Sequence, residues 1–296
     1  MFWMNNSRVE KLTIGTVQFG MPYGIANQNG QVHGDDIAAI LDLAWENGID
    51  TLDTAKAYGD SEESIGNYLK QRPNNSWNII TKISACDKNI AEQIKDSTEK
   101  LTITTTIMMA HSAELFMENE FQKELSDARD RQIIAKVGVS LYSEDEINRV
   151  LESAFKPDVI QLPMNILDTR LYRMGMLALL CENGIEVHVR SVFLQGLFYL
   201  PESDLNIRFS DAVPYLEKLK SIAAEAELTL AEFSLLWLVS LEEVNKVVIG
   251  VDNADQLKTH LETLKKDVDP AVFEKALFIR YENETILNPS LWLSTS

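Results

Sequence analysis

The chain has 296 residues, a formal charge of −18 at pH 7 and a hydrophobic fraction of 45%. This composition is ordinary for a globular protein and excludes a disordered chain. Because an acidic surface repels phosphate backbones and anionic lipids, neither nucleic acid nor a membrane surface is expected as a partner. The N-terminal sequence lacks an apolar run of signal-peptide length, so we expect a cytoplasmic protein, a monomer or small homo-oligomer acting on a small molecule.

The cysteines and histidines show no spacing typical of a metal site. Cys86 and Cys181 lie far apart in the chain, and we expect both to be reduced thiols. His33, His188 and His260 have no partner at metal-ligand spacing and are expected at the surface or in the packing. The sequence therefore predicts no metal.

Short β-rich runs alternate with amphipathic stretches along the whole chain. Most of these runs are nearly continuous in apolar residues, which is typical of strands covered by helices on both faces. Eight strands are predicted, at residues 12–19, 49–55, 77–83, 105–111, 135–140, 159–165, 186–193 and 246–251.

Helical patterns with recognisable ends lie between the predicted strands. One ends at Gly48, one begins after Ser143, and one runs over residues 169–184 and ends at Gly184. Repeated strand-helix units leave an open doubly wound sheet or a closed eight-stranded barrel. Eight units in one chain favour an α/β fold of the (β/α)8 TIM-barrel type, as one domain over residues 1–296.

Polar residues follow several of these strands, at the barrel end where such folds carry their chemistry. Asp53, Lys82 and His111 end the second, third and fourth strands, and Tyr58 follows the second. An Asp53–Lys82 ion pair would place an ammonium near the Tyr58 hydroxyl and lower its pKa. His111 would orient a carbonyl oxygen, so the set predicts proton donation to a carbonyl. The helix after Tyr58 is expected to begin at Asp60 or Ser61 as its cap.

Three motifs resemble the aldo-keto reductase family over essentially the whole chain. They are "GTVQFG" in the first strand, "DTAKAYGDSEESIG" after the second, and "VVIGVDNADQL" at the eighth. The resemblance implies a (β/α)8 barrel, a nicotinamide cofactor, and reversible hydride transfer to an aldehyde or ketone. It also implies that Tyr58 is the general acid or base, that Lys82 and Asp53 tune it, and that His111 positions the substrate.

The resemblance carries over a set of cofactor positions, with two departures. Ser140 and Gln161 match residues that hold the nicotinamide carboxamide, but Leu141 stands where the family usually has Asn. Arg190 stands where the family usually has a Tyr that stacks on the nicotinamide, and an arginine can also stack or reach a phosphate. The complete set is Gly15, Thr16, Asp53, Ser140, Gln161, Arg190, Ser191, Phe193, Leu194, Gly196, Gly250, Asp252, Asn253 and Gln256.

The family resemblance and the charge of one residue point to different nicotinamide cofactors. The family's habit slightly favours NADP(H), whereas a carboxylate at Asp252 would repel a 2′-phosphate and makes NAD(H) plausible.

Aromatic residues on rim loops and in the C-terminal tail are candidates for the substrate pocket, chiefly Phe19, Tyr23 and Trp292. The opening "GTVQFGMPYGIAN" is similar to family members of bacterial sugar and surface-polysaccharide metabolism, which implies a sugar-type substrate. Two other functions stay open. One is a cofactor-binding regulatory subunit with little turnover, and the other is a barrel isomerase or lyase without hydride transfer.

Overall fold

The computed structural model describes residues 8–84, 89–102 and 106–295. Its eight parallel strands pair in chain order, and the first pairs with the eighth to close a barrel. The strands are β1 (Leu12–Gly15), β2 (Thr51–Asp53), β3 (Asn78–Ile83), β4 (Thr106–Ala110), β5 (Lys136–Ser140), β6 (Val159–Pro163), β7 (Glu186–Arg190) and β8 (Val244–Gly250). The predicted (β/α)8 architecture is confirmed.

Helices surround the barrel, and shorter helical turns lie in the loops. The α-helices span Val17–Gly20, Gly34–Glu46, Ser61–Gln71, Ile90–Leu101, Ala113–Phe116, Asn119–Asp130, Glu144–Glu152, Arg170–Arg173, Met176–Glu182, Glu202–Arg208, Val213–Glu225, Leu230–Ser240, Ala254–Thr263, Pro270–Leu277 and Glu284–Leu287. Two 3-10 segments span Leu194–Tyr199 and Pro289–Thr295. No helix of the described residues is long and apolar enough to cross a membrane.

Helix capping explains why the chain leaves its strands where it does. Ser143 and Glu146 form a reciprocal capping box that starts the helix Glu144–Glu152, which confirms the predicted start. Thr229 and Glu232 start the helix Leu230–Ser240 in the same way. Nine residues of that second helix are buried, which explains its continuous run of apolar residues.

Some predicted boundaries are wrong for identifiable reasons. The strand predicted at 12–19 ends at Gly15, because Thr16 turns its amide and hydroxyl to the Asp53 carbonyl and a helical turn follows. The helix predicted over 169–184 is two helices, divided at Gly175, whose φ of 76° breaks the helical path. The eighth strand begins at Val244 rather than at 246.

The barrel interior is divided between apolar and polar residues. Ile80, Met109 and Val159 form an apolar cluster inside the barrel. The strands around this cluster carry buried Asp53 and Lys82, at or next to the ends of β2 and β3, and buried Gln161 in the middle of β6. A buried polar layer needs internal partners, so these three residues mark the end of the barrel where the site is found.

Candidate active site

A buried ion pair lies at the carboxyl end of β2 and β3. Lys82 Nζ donates to Asp53 Oδ1 at 2.6 Å and to the Thr54 carbonyl at 3.0 Å. Gln161 Nε2, from β6 across the barrel, donates to Asp53 Oδ2 at 2.8 Å. The Lys82 and Asp53 side chains are 1% and 4% exposed. Asp53 therefore holds the ammonium in one place, with both of its oxygens occupied.

Tyr58 is held over this pair by a tightly packed loop. The Lys56 amide donates to the Lys82 carbonyl at 3.0 Å, which joins the loop after β2 to β3. A Cβ on Gly20 would lie 1.7 Å from the Tyr58 carbonyl oxygen, and one on Gly59 would lie 2.3 Å from the Gly20 carbonyl oxygen. Only glycine permits this approach of the two backbones.

The start of the following helix differs from the predicted cap. Asp60 precedes the helix Ser61–Gln71 but makes no capping hydrogen bond through its side chain. The Ser61 hydroxyl instead donates to the Thr16 carbonyl at 2.8 Å. The loop that carries Tyr58 is thus attached to the residue after β1 as well as to β3.

The structure brings the four predicted catalytic residues together. Lys82 Nζ lies 5.3 Å from the centre of the Tyr58 ring. The rings of Tyr58 and His111 meet edge to face, with centroids 6.1 Å apart and planes at 76°. His111 Nδ1 is 3.2 Å from the Ser84 hydroxyl. When that hydroxyl donates to Nδ1, Nε2 carries the ring proton and is a donor.

The electrostatics of the cluster correct the expectation for Tyr58. Burial, together with the charge of Asp53, raises the pKa of Tyr58, so the predicted lowering by Lys82 is wrong. Burial lowers the pKa of Lys82, although the Asp53 carboxylate opposes this shift. Burial and the positive charges of Lys82 and Arg190 lower the pKa of His111 to about 4. At neutral pH the phenol is therefore protonated and the imidazole is neutral.

A cavity of about 600 Å³ opens from this cluster to the rim of the barrel. Tyr58 and His111 line it, and so does Tyr23 among the predicted substrate contacts. Most of the predicted cofactor positions line it too: Gly15, Thr16, Asp53, Gln161, Arg190, Ser191, Phe193, Gly196, Gly250, Asp252 and Gln256.

Other predicted residues lie outside the cavity wall. Ser140 is buried behind Arg190, whose Nε is 3.3 Å from its hydroxyl, and Leu194 is fully buried. Asn253 caps the helix Ala254–Thr263 by accepting from the Gln256 amide at 2.9 Å. The two substrate candidates outside the wall are Phe19, which is fully buried in the core, and Trp292, which packs on Phe209. Cys86 lies outside the described residues.

Arg190 lies at the end of β7 without a carboxylate partner among the described residues. Its guanidinium carbon is 4.2 Å from the centre of the Tyr142 ring. It donates weakly to Ser140 and Ser191 at 3.3 and 3.4 Å, and its buried Nη2 has no hydrogen-bond partner within the described part of the chain. Tyr142 was not predicted as a site residue. It lies two residues beyond the end of β5, and a polar residue just after a strand is the signal that identified Tyr58.

Two loops cross over the cavity and form its outer wall. The Ile25 amide donates to the Gln195 carbonyl at 2.9 Å, and Gln195 Nε2 donates to the Tyr23 hydroxyl at 2.7 Å. A Cβ on Gly196 would lie 2.9 Å from the Ala26 Cβ. Ser191, Leu194 and Gln195 have positive φ, a conformation that surrounding contacts must stabilise. These contacts join segments far apart in sequence, and no local pattern predicted them.

At the outer end of the cavity the charge is negative. The Asp252 carboxylate receives hydrogen bonds from Asn27 Nδ2 and Gln256 Nε2, both at 3.3 Å. The Asp252 amide donates to Gln256 Oε1 at 2.8 Å. No lysine or arginine in the described residues forms an ion pair with Asp252, so its charge is uncompensated by a cation.

Comparison with known proteins agrees with this fold. The model of the Aldo/keto reductase family matches residues 11–276, and the chain belongs to that family. Aldo-keto reductase AKR11C1 from Bacillus halodurans, in its holo form, is similar in structure, with a TM-score of 0.73 and 21% identity, covering 92% of this chain and 94% of its own. A protein of Pseudomonas aeruginosa described as an aldo-keto reductase gives a TM-score of 0.58 and 18% identity, covering 90% of each chain.

A methyl group at Gly20 should displace Tyr58. The Gly20→Ala variant places Cβ against the Tyr58 carbonyl oxygen, and backbone cannot yield as a flexible side chain does. We expect carbonyl turnover to fall by roughly 10- to 100-fold, as for a misplaced catalytic group, measured as kcat/KM on a common aldehyde.

Gly66→Ala is the matched control. A Cβ at Gly66 would lie 1.8 Å from the Lys100 carbonyl oxygen, a comparable clash away from the cavity. Both variants should lower Tm, but only Gly20→Ala should lower the kcat/KM of the folded protein. Equal losses of turnover in the two variants would show that Gly20 acts through stability alone.

The state of His111 has a direct spectroscopic test. Its imidazole should titrate near pH 4, as followed by NMR and assigned with a His111→Gln variant. Because an unfolded histidine titrates near 6.5, the unfolded state binds the extra proton first. The contribution of His111 to the free energy of unfolding is therefore present above pH 6.5 and lost as the pH falls to 4. A midpoint near the 6.5 of an unperturbed histidine would contradict the lowered pKa of His111.

Proposed function

We propose that this protein is an NAD(P)(H)-dependent oxidoreductase that transfers hydride reversibly between a nicotinamide and an aldehyde or ketone. The observation that carries the proposal is the cluster of Tyr58, Asp53 and His111, which line the cavity, with Lys82 buried against Asp53. It combines a protonated phenol, a fixed ammonium and a neutral imidazole, which suit proton donation to a carbonyl oxygen.

The cavity has groups that fit a nicotinamide cofactor. Gln161 Oε1 is buried without a hydrogen-bond partner among the described residues, and it can accept from the carboxamide amino group. Gly15 and Gly250 are register partners on β1 and β8, and both line the cavity. The bound nicotinamide supplies or accepts the hydride.

The protein's own residues supply the proton and its placement. Tyr58 Oη gives its proton to the carbonyl oxygen as that oxygen becomes negative, and the Lys82 ammonium stabilises the phenolate that remains. The Asp53 carboxylate keeps this ammonium oriented. His111 Nε2, the ring donor when Ser84 holds Nδ1, points the carbonyl oxygen at Tyr58. In alcohol oxidation the same proton returns to Tyr58.

We further propose a polyhydroxylated, sugar-type carbonyl substrate for a cytoplasmic enzyme. Polar side chains line the cavity, among them Gln195 and Ser290, and hydroxyl groups would find partners there. A regulatory subunit would bind cofactor tightly and turn over negligibly across a panel of sugar aldehydes and ketones. An isomerase or lyase would leave the fluorescence of NADH and NADPH unchanged.

Replacing the phenol removes the proposed proton donor. Tyr58→Phe should lower kcat for carbonyl reduction by about 10²- to 10⁴-fold while cofactor affinity stays within a few-fold of wild type. The measurement is steady-state reduction of an aldehyde panel together with fluorescence titration of the cofactor.

Tyr68→Phe is the control for loss of a phenol. The Tyr68 hydroxyl donates to Asp42 at 2.9 Å, away from the cavity, so this variant should keep its turnover. If Tyr58→Phe reduces carbonyls at the wild-type rate, Tyr58 is not the acid.

The acidic outer end of the cavity bears on cofactor choice. We propose that NAD(H) is accepted at least as well as NADP(H), since the Asp252 carboxylate would face the 2′-phosphate. Asp252→Arg should then raise affinity for NADPH relative to NADH by about tenfold or more, as measured by paired titrations. Asp255→Arg adds the same charge at the start of the same helix, outside the cavity wall. If both variants change the ratio of NADPH to NADH affinity equally, the cause is the added positive charge in general and not the position of Asp252.

A further inference from the structure

The guanidinium of Arg190 is an uncompensated positive charge in the inner cavity. Lys82, a buried cation that does not line the cavity, is matched by Asp53, whose second oxygen is taken by Gln161. Elsewhere in the chain, arginines such as Arg72 and Arg170 form ion pairs at 2.8 and 2.9 Å. Arg190 has no such pair among the described residues, although the protein carries a net charge of −18. Its charge therefore acts on whatever fills the cavity.

This charge is held close to the reacting groups. Stacking on Tyr142 and hydrogen bonds to Ser140 and Ser191 fix the guanidinium. Its positive charge contributes to the lowered pKa of His111 and of Lys82, and it opposes the rise in the pKa of Tyr58. The guanidinium is therefore close enough to act on all three groups. A hydride acceptor carbon beside Tyr58 requires the nicotinamide ring to lie within the same field.

Among the remaining groups of the inner cavity, Asp53 opposes this charge at Tyr58 and at His111, but its carboxylate is ion-paired with Lys82 and not with Arg190. Tyr58 is protonated and His111 is neutral at pH 7 because their pKa values are raised and lowered respectively. The other carboxylate of the wall, Asp252, is engaged by Asn27 and Gln256. It is not among the charges that shift Tyr58, His111 or Lys82.

The two oxidation states of a nicotinamide differ by one charge at the ring. In carbonyl reduction a hydride, with its electron pair, passes to the carbonyl carbon, and a proton passes from Tyr58 to the oxygen. The dihydronicotinamide ring is neutral before this transfer, and the oxidised ring carries a positive charge after it. A fixed cation beside the ring repels only the oxidised form.

We propose that Arg190 determines a preference for the reduced cofactor, which biases the enzyme toward carbonyl reduction. This inference rests on the proposed function, because it requires a nicotinamide in the cavity. Arg190 acts here by charge: it selects between oxidation states and is not required to donate a proton. Unit charges a few ångströms apart in a partly buried site change an equilibrium constant by about tenfold or more.

The test compares dissociation constants for oxidised and reduced cofactor. Wild type, Arg190→Gln and Arg190→Lys are titrated with NADH, NAD⁺, NADPH and NADP⁺ by calorimetry, without substrate. Both oxidation states carry the same phosphates, so any contact of Arg190 with a phosphate cancels in the ratio of oxidised to reduced constants. We expect wild type to bind the reduced form more tightly, and Arg190→Gln to lower the ratio by about tenfold.

Two further variants show whether charge is responsible. Arg190→Lys should keep most of the ratio, because it keeps the charge. Lys56→Gln should leave the ratio unchanged, because Lys56 pairs with Asp96 at 3.3 Å and does not line the cavity. Circular dichroism and Tm establish that each variant is folded, and Arg190→Met replaces Arg190→Gln if the latter is not.

The outcomes distinguish failure of the inference about Arg190 from failure of the proposed function. An unchanged ratio in a folded, cofactor-binding Arg190→Gln overturns the inference and leaves the proposed function standing. The inference is also overturned if Arg190→Lys lowers the ratio as much as Arg190→Gln does. The shape of the arginine side chain, and not its charge, would then be responsible. If wild type binds no nicotinamide at all, the proposed function fails and the inference fails with it.

Discussion

The buried ion pair between Lys82 and Asp53 is the interaction on which the site depends. Two charges removed from water are tolerated only when each is matched, and removal of one partner from such a pair typically costs about 3–5 kcal/mol. Here the pair also organises the backbone around it. The Thr16 amide binds the Asp53 carbonyl, and the Lys56 amide binds the Lys82 carbonyl. The strands that carry the charges therefore also hold the two segments that position Tyr58.

The overall charge and the local charge of this protein have opposite signs, and the difference has a physical reason. A net charge of −18 keeps anions away from the surface at large. An enclosed cavity concentrates the field of one fixed cation, because solvent screens it less there. Arg190 can thus act on a ligand without making the surface attractive to nucleic acid or anionic lipid. The acidic exterior and the cationic inner cavity are compatible properties of one fold.

The sequence predicted those features that depend on local pattern. Continuous apolar runs identified the eight strands, and polar residues at their ends identified Asp53, Tyr58, Lys82 and His111, which the fold brings together because parallel strands end at one face. Features that depend on packing between distant segments were not predicted. Phe19 was expected at the pocket but turns into the core. The crossing of the loops at Tyr23 and Gln195, and the stacking of Arg190 on Tyr142, depend on three-dimensional contacts alone.

The direction of the pKa shift of Tyr58 shows that the effect of a nearby charge can be predicted only when its partners and its burial are known. Lys82 lies near the phenol ring, which suggested a lowered pKa, but its charge is already matched by Asp53 at 2.6 Å. Burial is the largest cause of the raised pKa of Tyr58, and the Asp53 carboxylate that pairs with Lys82 raises it further. Lys82 and Arg190 both lower the pKa of His111, and Arg190 is the one of the two that no carboxylate matches within the described residues. In the proposed function Lys82 is fixed beside the acid, whereas Arg190 and Asp252 set the charge at different parts of the ligand. Asp252 would face a phosphate that oxidation leaves unchanged, and Arg190 would face a ring that is the same in NAD and NADP. These two proposals together imply that cofactor type and oxidation state are selected independently.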